Sequence, residues 1–572
     1  MTTIDGHSLV AHALKSLGVT HVYCLAGTPI RETFARCAEL GMRPIGVRHQ
    51  QAGVLMALAQ NYIAGRLTAV TLLSAGPAIT NAATGMLVAR DNCWPLVVLG
   101  GRRPLSMRGM GSFQDLDGAS LFQSITKWSA VVEDTSQIPR FLEKAFQIAI
   151  SGRPGPVYLD LPEDVLTGSG VFSYVSAICS SEPVTDDAMI ARAAELLLRA
   201  ERPAMIIGKG VRWSEPYAEL RALADEFSIP FITSPMGRGF LPDDHALCFD
   251  DARGPLQRQA DVILLLGARL DWTFRFGSEF ARDAKVIQID IEPTEISVNR
   301  AAEVGIAGDI KAVLQGILNR LREKRSAVRL EASRIWHDQL SAHRAAFRQR
   351  IRTLSNNNAL PMSPYRMLNE IREFLPRDAI TILDGNVCMA AAQQALPSYL
   401  PASRFTAGNN GCMGVGIPFG IGAKLCHPER LVVVICGDTA VAFNITEMET
   451  AARHRIPIIV VVANNQGNTG ALVEKAYFGD RDERITMYQQ DIRYDTVAGA
   501  FGAYAEHVER PEDLRAALER AAASGLPACI NVTVDPHADY PTDFHATSDT
   551  RDDRQRNFSK SGAENWPSRM ES

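Results

Sequence analysis

Three doubly wound, parallel-sheet α/β domains followed by a polar C-terminal tail are what this sequence predicts. Short β-branched runs recur along the chain between longer stretches of helical composition, and strands that alternate with helices build parallel sheets. Those runs are mostly apolar rather than alternating, as expected of strands covered by helices on both faces. A length of 572 residues calls for more than one domain, and three is a reasonable division.

The first block, 1–170, carries strands at 22–25, 69–73 and 96–99 and closes on the apolar run 155–162, which ends in proline. A looser stretch (171–187) leads to a second block, 188–325, with strands at 204–207, 262–266 and 286–290. A charged helical linker (331–352) and the turn-rich 355–358 introduce the third block, 359–540. There the strand 431–436, helical composition over 446–455 and a second buried strand at 456–463 follow one another. The tail, 541–572, is rich in Asp, Arg, Ser and Asn and poor in aliphatics, so it reads either as a disordered end or as an active-site lid. No short-period repeat is visible.

Composition narrows the function. An apolar content of 46% and a charged content of 22% are those of a globular protein. A net charge of −5 gives no electrostatic ground for a nucleic-acid partner, and no apolar run approaches membrane-spanning length. The ten cysteines show no CxxC pair, and the N-terminus lacks a basic-then-apolar leader; both fit a cytoplasmic protein.

The most informative stretch is Gly437-Asp438-Thr439, then 24 residues, then Asn464-Asn465-Gln466-Gly467. Asp438 is expected at the carboxyl end of one parallel strand and Asn465 at the end of the next, the edge where open α/β sheets bind ligands. A carboxylate, an amide oxygen and a backbone carbonyl suit Mg²⁺ or Ca²⁺ completed by phosphate oxygens, and the intervening helix start adds N–H donors.

This pattern resembles the signature of the thiamine diphosphate (ThDP) enzymes, with Thr439 where many members have Gly, Ser or Ala. The resemblance covers about 540 residues, in the family's order of pyrimidine-binding, middle and diphosphate-binding domains. It implies ThDP and Mg²⁺ as cofactors, with Asp438, Asn465 and the Gly467 carbonyl as metal ligands beside Gly437 and Thr439. Ala26-Gly27-Thr28-Pro29-Ile30 resembles the first-domain turn near the cofactor, and Ser74-Ala75-Gly76-Pro77-Ala78 with Asn81 resembles the family's Gly-Pro loop. In Gly411-Cys412-Met413-Gly414-Val415-Gly416, Met413 matches the bulky residue that props the cofactor in its bent form; Gly411 would offer its carbonyl to the aminopyrimidine, and Asn409 lies just before.

The family's activating glutamate normally lies in a segment like Arg-His-Glu-Gln-Ala. Here the segment is Arg48-His49-Gln50-Gln51-Ala52, so Gln50 takes its place. A glutamic acid can hand a proton to the pyrimidine nitrogen, whereas an amide only donates a hydrogen bond; a contribution of roughly 10²–10⁴ in rate is at stake. Three readings stay open: a differently tuned natural enzyme, an engineered substitution, or a catalytically impaired protein that keeps binding.

Within the family, Asp91-Asn92-Cys93-Trp94-Pro95-Leu96, Leu241-Pro242-Asp243-Asp244-His245, Gly267-Ala268-Arg269-Leu270-Asp271-Trp272 and Asp290-Ile291-Glu292-Pro293 resemble 2-hydroxyacyl-CoA lyases and oxalyl-CoA decarboxylases more than acetolactate synthases or pyruvate decarboxylases. Gly111-Ser112-Phe113-Gln114 resembles the lyase loop at the reactive carbon: Phe113 would wall an aldehyde or ketone group, and Gln114 would bond a hydroxyl or carbonyl. Asn410 and Glu483 are further acid/base or orienting candidates. Lys209 and Arg269, at strand ends of the middle domain, suit the phosphates of an acyl-CoA substrate, and ADP is a candidate occupant of the same domain. Arg551, Arg554 and Arg556 would serve a lid over those phosphates. The resemblance implies cleavage of a 2-hydroxyacyl-CoA to formyl-CoA plus an aldehyde or ketone, by a homodimer or homotetramer with shared active sites. An oxalyl-CoA decarboxylase, an acetolactate-synthase-like carboligase and a silent ThDP- or nucleotide-binding protein are the rivals.

Overall fold

A computed structural model describes residues 3–172, 186–324, 330–468 and 485–538, the side chains of 330–332 and 386–388 excepted. It contains the three expected parallel sheets. In the first domain six strands run in the spatial order Arg43–Gly46, His21–Cys24, Ala69–Leu73, Leu96–Arg102, Pro156–Pro162, Trp128–Val131. The middle domain has five, Phe231–Thr233, Pro203–Ile207, Val262–Leu266, Lys285–Asp290 and Val304–Ala307. The third has six, Arg404–Thr406, Ile380–Asp384, Val432–Gly437, Ile459–Asn464, Ala528–Thr533 and Tyr504–Val508. The central strands Ala69–Leu73, Val262–Leu266 and Ile459–Asn464 are buried throughout, as their mostly apolar composition, broken only by Thr71 and Asn464, leads one to expect. A short antiparallel pair, Thr3–Asp5 with Ser169–Val171, closes the first domain.

Counted in chain order, the first and third sheets share one strand order, 2-1-3-4-6-5. The sequence shows no trace of this, because a shared topology needs only matching hydrophobic periods. In each of these two domains the helix after the second strand faces its counterpart. Gln50–Ala64 packs on Gly416–Cys426, and a β-carbon added at Gly422 would lie 2.3 Å from the Met56 carbonyl oxygen. Only glycine admits that approach. Tyr62 stacks on Trp94 at 4.2 Å, with Phe405 and Phe419 around them, so one core spans both domains. Each such aromatic pair contributes about 0.5–1.5 kcal/mol beyond the area it buries.

The segment after Gly437 differs in detail from expectation. The helix expected over 446–455 is present as Glu447–His454, a further helix, Asp438–Asn444, precedes it, and the following strand begins at Ile459 rather than 456. Pro457 lacks the N–H a central strand must donate, which delays that strand. The linker forms the helix Leu330–Ser355. Among the described residues no helix is long and apolar enough to cross a membrane.

Candidate active site

Sheet order fixes where the site is built. In both outer domains the order reverses between the first and third strands, and at such switch points the loops diverge and leave a crevice. In the third domain those strands end at Asp384 and Gly437, and in the first at Cys24 and Leu73. The loops that follow are Gly385 onward, Asp438-Thr439, Ala26–Ile30 and Ser74–Ala78, the last three being those the sequence singles out.

Asp438 begins its helix and is buried. Its Oδ1 accepts the Thr439 N–H (2.6 Å) and its Oδ2 the Gly467 N–H (2.9 Å), which draws the Asn465–Gly467 turn against it. Burial pushes its carboxyl up to about 6, against the pull of those N–H groups. The two asparagines divide the work. Asn464 donates to the Ile492 carbonyl (3.0 Å) and accepts the Gln466 N–H (3.1 Å), whereas Asn465, among the described residues, makes no side-chain hydrogen bond. Its side-chain oxygen is thus uncommitted among the described residues. The turn is tied down by Asn468 N–H to the Thr486 carbonyl (2.7 Å) and Tyr488 N–H to the Gln466 carbonyl (2.8 Å). Thr439 Oγ1 lies 3.0 Å from the Tyr488 hydroxyl.

Two groups that sequence reasoning missed hold the Met413 turn. Asp384, fully buried, accepts the Gly414 N–H (3.3 Å) and the Gly416 N–H (2.7 Å), and burial pushes it up to about 7. From the other side Asn444 donates to the Gly414 carbonyl (2.6 Å). Gly411 and Gly414 take the left-handed backbone (φ +67° and +86°). Met413 is thereby half-buried on the wall of a cavity of about 400 Å³ shared with Met236, Phe274, Met389 and Trp272.

On the first domain the motifs converge as well. Gln50 opens the helix Gln50–Ala64, is 9% exposed, and accepts a hydrogen bond from Asn81 Nδ2 (3.0 Å) on its Oε1. Asn81 ends the short helix that starts at Pro77, next to Gly76. A β-carbon on Gly76 would meet Gln114 Cβ at 2.8 Å, so the Gly-Pro loop and the Phe113-Gln114 loop touch. Pro29 is buried beside Gly101, where a β-carbon would meet its Cδ at 2.5 Å. Phe113 is 71% exposed, with the Arg103 guanidinium 5.6 Å from its ring centroid. Met110 of the same loop is exposed too.

The middle domain joins at its own switch point, where the backbones of Gly208-Lys209-Gly210 and Gly267 are in contact. Lys209 is buried and donates to the Asp91 carbonyl (2.7 Å) and Asn409 Oδ1 (3.2 Å); burial lowers its pKa. Asn409 also donates to Asp271, and Asn410 to Asp91 Oδ2 (2.8 Å), so both asparagines clamp domains together. Asn92 donates to the Ala407 carbonyl (2.8 Å) and accepts the Asn409 N–H (3.1 Å), which gives the Asn92–Trp94 motif a packing role. Behind Lys209 lies a second cavity of about 610 Å³, lined in part by Arg153, Arg269, Asp290 and Asp309. Glu295 pairs there with Arg153 and with Arg269 (3.2 Å). Glu483 and the tail arginines Arg551, Arg554 and Arg556 lie outside the described residues.

Models of thiamine pyrophosphate enzymes match all three domains: the N-terminal TPP binding domain at 4–121, the central domain at 190–317 and the C-terminal TPP binding domain at 384–532. The chain belongs to the thiamine diphosphate-dependent enzymes. Nearly its whole length is similar to 2-hydroxyacyl-CoA lyase 1 of Mus musculus, 32% identical over 566 residues, which cover 95% of this chain and 96% of the relative. Oxalyl-CoA decarboxylase of Escherichia coli K12 is 30% identical over 546 residues (93% and 95%). The acetolactate synthase large subunit of Mycobacterium tuberculosis is 32% identical over 548 (94% and 97%).

The residues present fit the family's cofactor. Asp438, Asn465 and the Gly467 carbonyl form an all-oxygen donor set of the kind Mg²⁺ takes together with phosphate oxygens. The space beside Gly437 and beside Gly411 is open: a β-carbon added at either would meet nothing within 4 Å.

Proposed function

We propose that the chain cleaves a 2-hydroxyacyl-CoA between C1 and C2 to formyl-CoA and an aldehyde or ketone, and joins the two in reverse. Thiamine diphosphate, bound with Mg²⁺, supplies the electron sink for breaking that bond. Asp438, Asn465 and the Gly467 carbonyl hold the cation and through it the diphosphate. Met413 would support the cofactor from below, and the Gly411 carbonyl would accept from its aminopyrimidine. Gln50 has its Oε1 engaged by Asn81, which leaves the amide N–H to donate to a pyrimidine nitrogen. Gln114 orients a substrate hydroxyl or carbonyl without bringing charge, and Phe113 adds an apolar wall that suits branched substrates such as 2-hydroxyisobutyryl-CoA.

The contact of Gln114 with Gly76 carries this reading. It brings Gln114, with Phe113 next to it in the chain, against the Gly-Pro loop, so that an uncharged amide rather than a carboxylate is at hand there. The acyl-CoA chain enters through the 400 Å³ cavity between the middle and third domains. ADP, or the ADP portion of CoA, occupies the 610 Å³ cavity, with Lys209 and Arg269 toward its phosphates. Two or four copies assemble so that the first domain of one faces the third of another. The exposed Met110 and Phe113 on one domain and Phe443 and Ile485 on the other support that arrangement.

Mass spectrometry of the products from a panel of 2-hydroxyacyl-CoAs, oxalyl-CoA and pyruvate tests the proposal. Formyl-CoA with a matching carbonyl compound and no CO₂ is expected. CO₂ from oxalyl-CoA alone, acetolactate from pyruvate alone, or cofactor binding without turnover would each replace it by the corresponding rival.

A further inference from the structure

The helix that begins at Gln50 is held at its entry from the other outer domain. Glu447, 0% exposed, accepts the backbone N–H of Arg48 (3.0 Å) and of His49 (2.9 Å) on Oε1, while its Oε2 accepts the Thr450 hydroxyl (2.6 Å). His49 Nδ1 in turn accepts the Gln51 N–H (3.2 Å). The peptide groups on both sides of Gln50 are therefore fixed, and the side chain between them starts from a rigid base. Among the described residues no arginine is hydrogen-bonded to this carboxylate: Arg453, whose charge acts on it only from a distance, bonds Glu449, and Arg48 lies 3.9 Å from Glu449. Burying a carboxylate on N–H and O–H donors alone is costly, and burial pushes Glu447 up to about 7. Core packing alone does not call for such a group, whereas an aimed side chain does.

We propose that Glu447 is a positioning residue for Gln50, fixing the peptide groups of Arg48 and His49 so that the Gln50 amide is aimed at the cofactor's aminopyrimidine. The inference rests on the role given to Gln50 above. Asp438 lies on the helix just before Glu447, so one segment of the third domain carries both a cofactor ligand and this clamp. Within a single chain the clamp reaches the Gln50 of that same chain.

The test is a double-mutant cycle on the full-length protein. Glu447→Ala is expected to lower kcat about tenfold or more, the scale of lost outer-shell support, with the acyl-CoA KM changed less than about threefold. It should also weaken the circular-dichroism band of the bound aminopyrimidine and speed hydrogen exchange at the amides of residues 48 and 49. Glu447→Gln, which keeps an acceptor for both N–H groups, should restore most of kcat and the protection. In a Gln50→Ala background, Glu447→Ala should cost nothing more. Equal losses in both backgrounds would overturn the proposal, as would unchanged protection at 48 and 49 in Glu447→Ala. Gln50→Ala with full kcat would instead remove the Gln50 role itself, while the exchange data still report on the clamp. If Glu447→Ala fails to fold, Glu447→Asp, one methylene shorter, is read in the same way.

Discussion

Gly76 and Gln114 meet backbone to backbone, each in the left-handed region (φ +61° and +58°). A side chain at Gly76 would need a strained φ and would push against Gln114 Cβ. Gly76→Ala is expected to cost about 1–3 kcal/mol of stability from backbone strain alone. It should also lower kcat by displacing the Phe113-Gln114 loop. A thermal midpoint and a kcat at saturating acyl-CoA check the two effects separately.

Asp438 uses both oxygens on backbone N–H groups, so the isosteric Asn has to turn its NH₂ toward one of them. Asp438→Asn should weaken Mg²⁺-dependent ThDP binding by more than the about 10–100-fold typical of an outer partner. Asn465→Ala should weaken binding while leaving the apo protein stable, because its side chain has no hydrogen bond to lose among the described residues. Asn464→Ala should destabilise the apo protein. Calorimetric titration with ThDP and Mg²⁺, beside apo-protein melting, distinguishes the three.

The pH dependence of stability carries a signature of Glu447. Its folded-state pKa, about 7, lies above the ordinary glutamate value of 4.5, so between those values the folded chain binds more protons than the unfolded chain. The group's relative stabilisation is therefore full below pH 4.5 and lost as pH rises through 7. Glu447→Gln removes that slope. The variant should gain on the wild type by about 2–3 kcal/mol on going from pH 5 to pH 8. Urea unfolding across that range is the measurement, and parallel curves would refute the assignment.

Arg153 and Arg269 both engage Glu295 at the rim of the larger cavity. A bound phosphate competes with that carboxylate. Glu295→Gln should therefore tighten ADP or acyl-CoA binding, and Arg269→Ala should weaken it about tenfold, the scale of one charge-assisted contact. Opposite signs for the two variants in an ADP titration are the expected result.

Much of the site could be read from the chain because its parts sit at strand ends, where a β-branched run stops at glycine and a polar residue follows. Asp438 is of this kind, and Asn465 and the Gly76 loop also follow directly on strand ends, whereas the Met413 turn follows the short helix Gly408–Asn410. Asp384, Asn444 and Glu447 were not legible. They act through backbone N–H and C=O groups of segments distant in sequence, and a glutamate in a helical stretch carries no mark of whether it faces water or a neighbouring domain. Asp384 alone carries a partial signal: the apolar run from Ile380 ends in a carboxylate at a strand end, next to glycine as Asp438 is, although in the reverse order. The Asn92–Trp94 segment shows the converse. It marks the subfamily in the sequence, yet in the fold its asparagine and tryptophan secure one domain against another.

The central claim is that this chain activates thiamine diphosphate with an amide at residue 50. The most direct test is the rate of hydrogen–deuterium exchange at the thiazolium C2 of the bound cofactor, in the wild type and in Gln50→Glu. The wild type should exchange faster than free cofactor, and Gln50→Glu faster still, by up to the roughly 10²-fold of a general acid–base group. Wild-type exchange no faster than that of free ThDP, with the cofactor shown to be bound, would contradict the account.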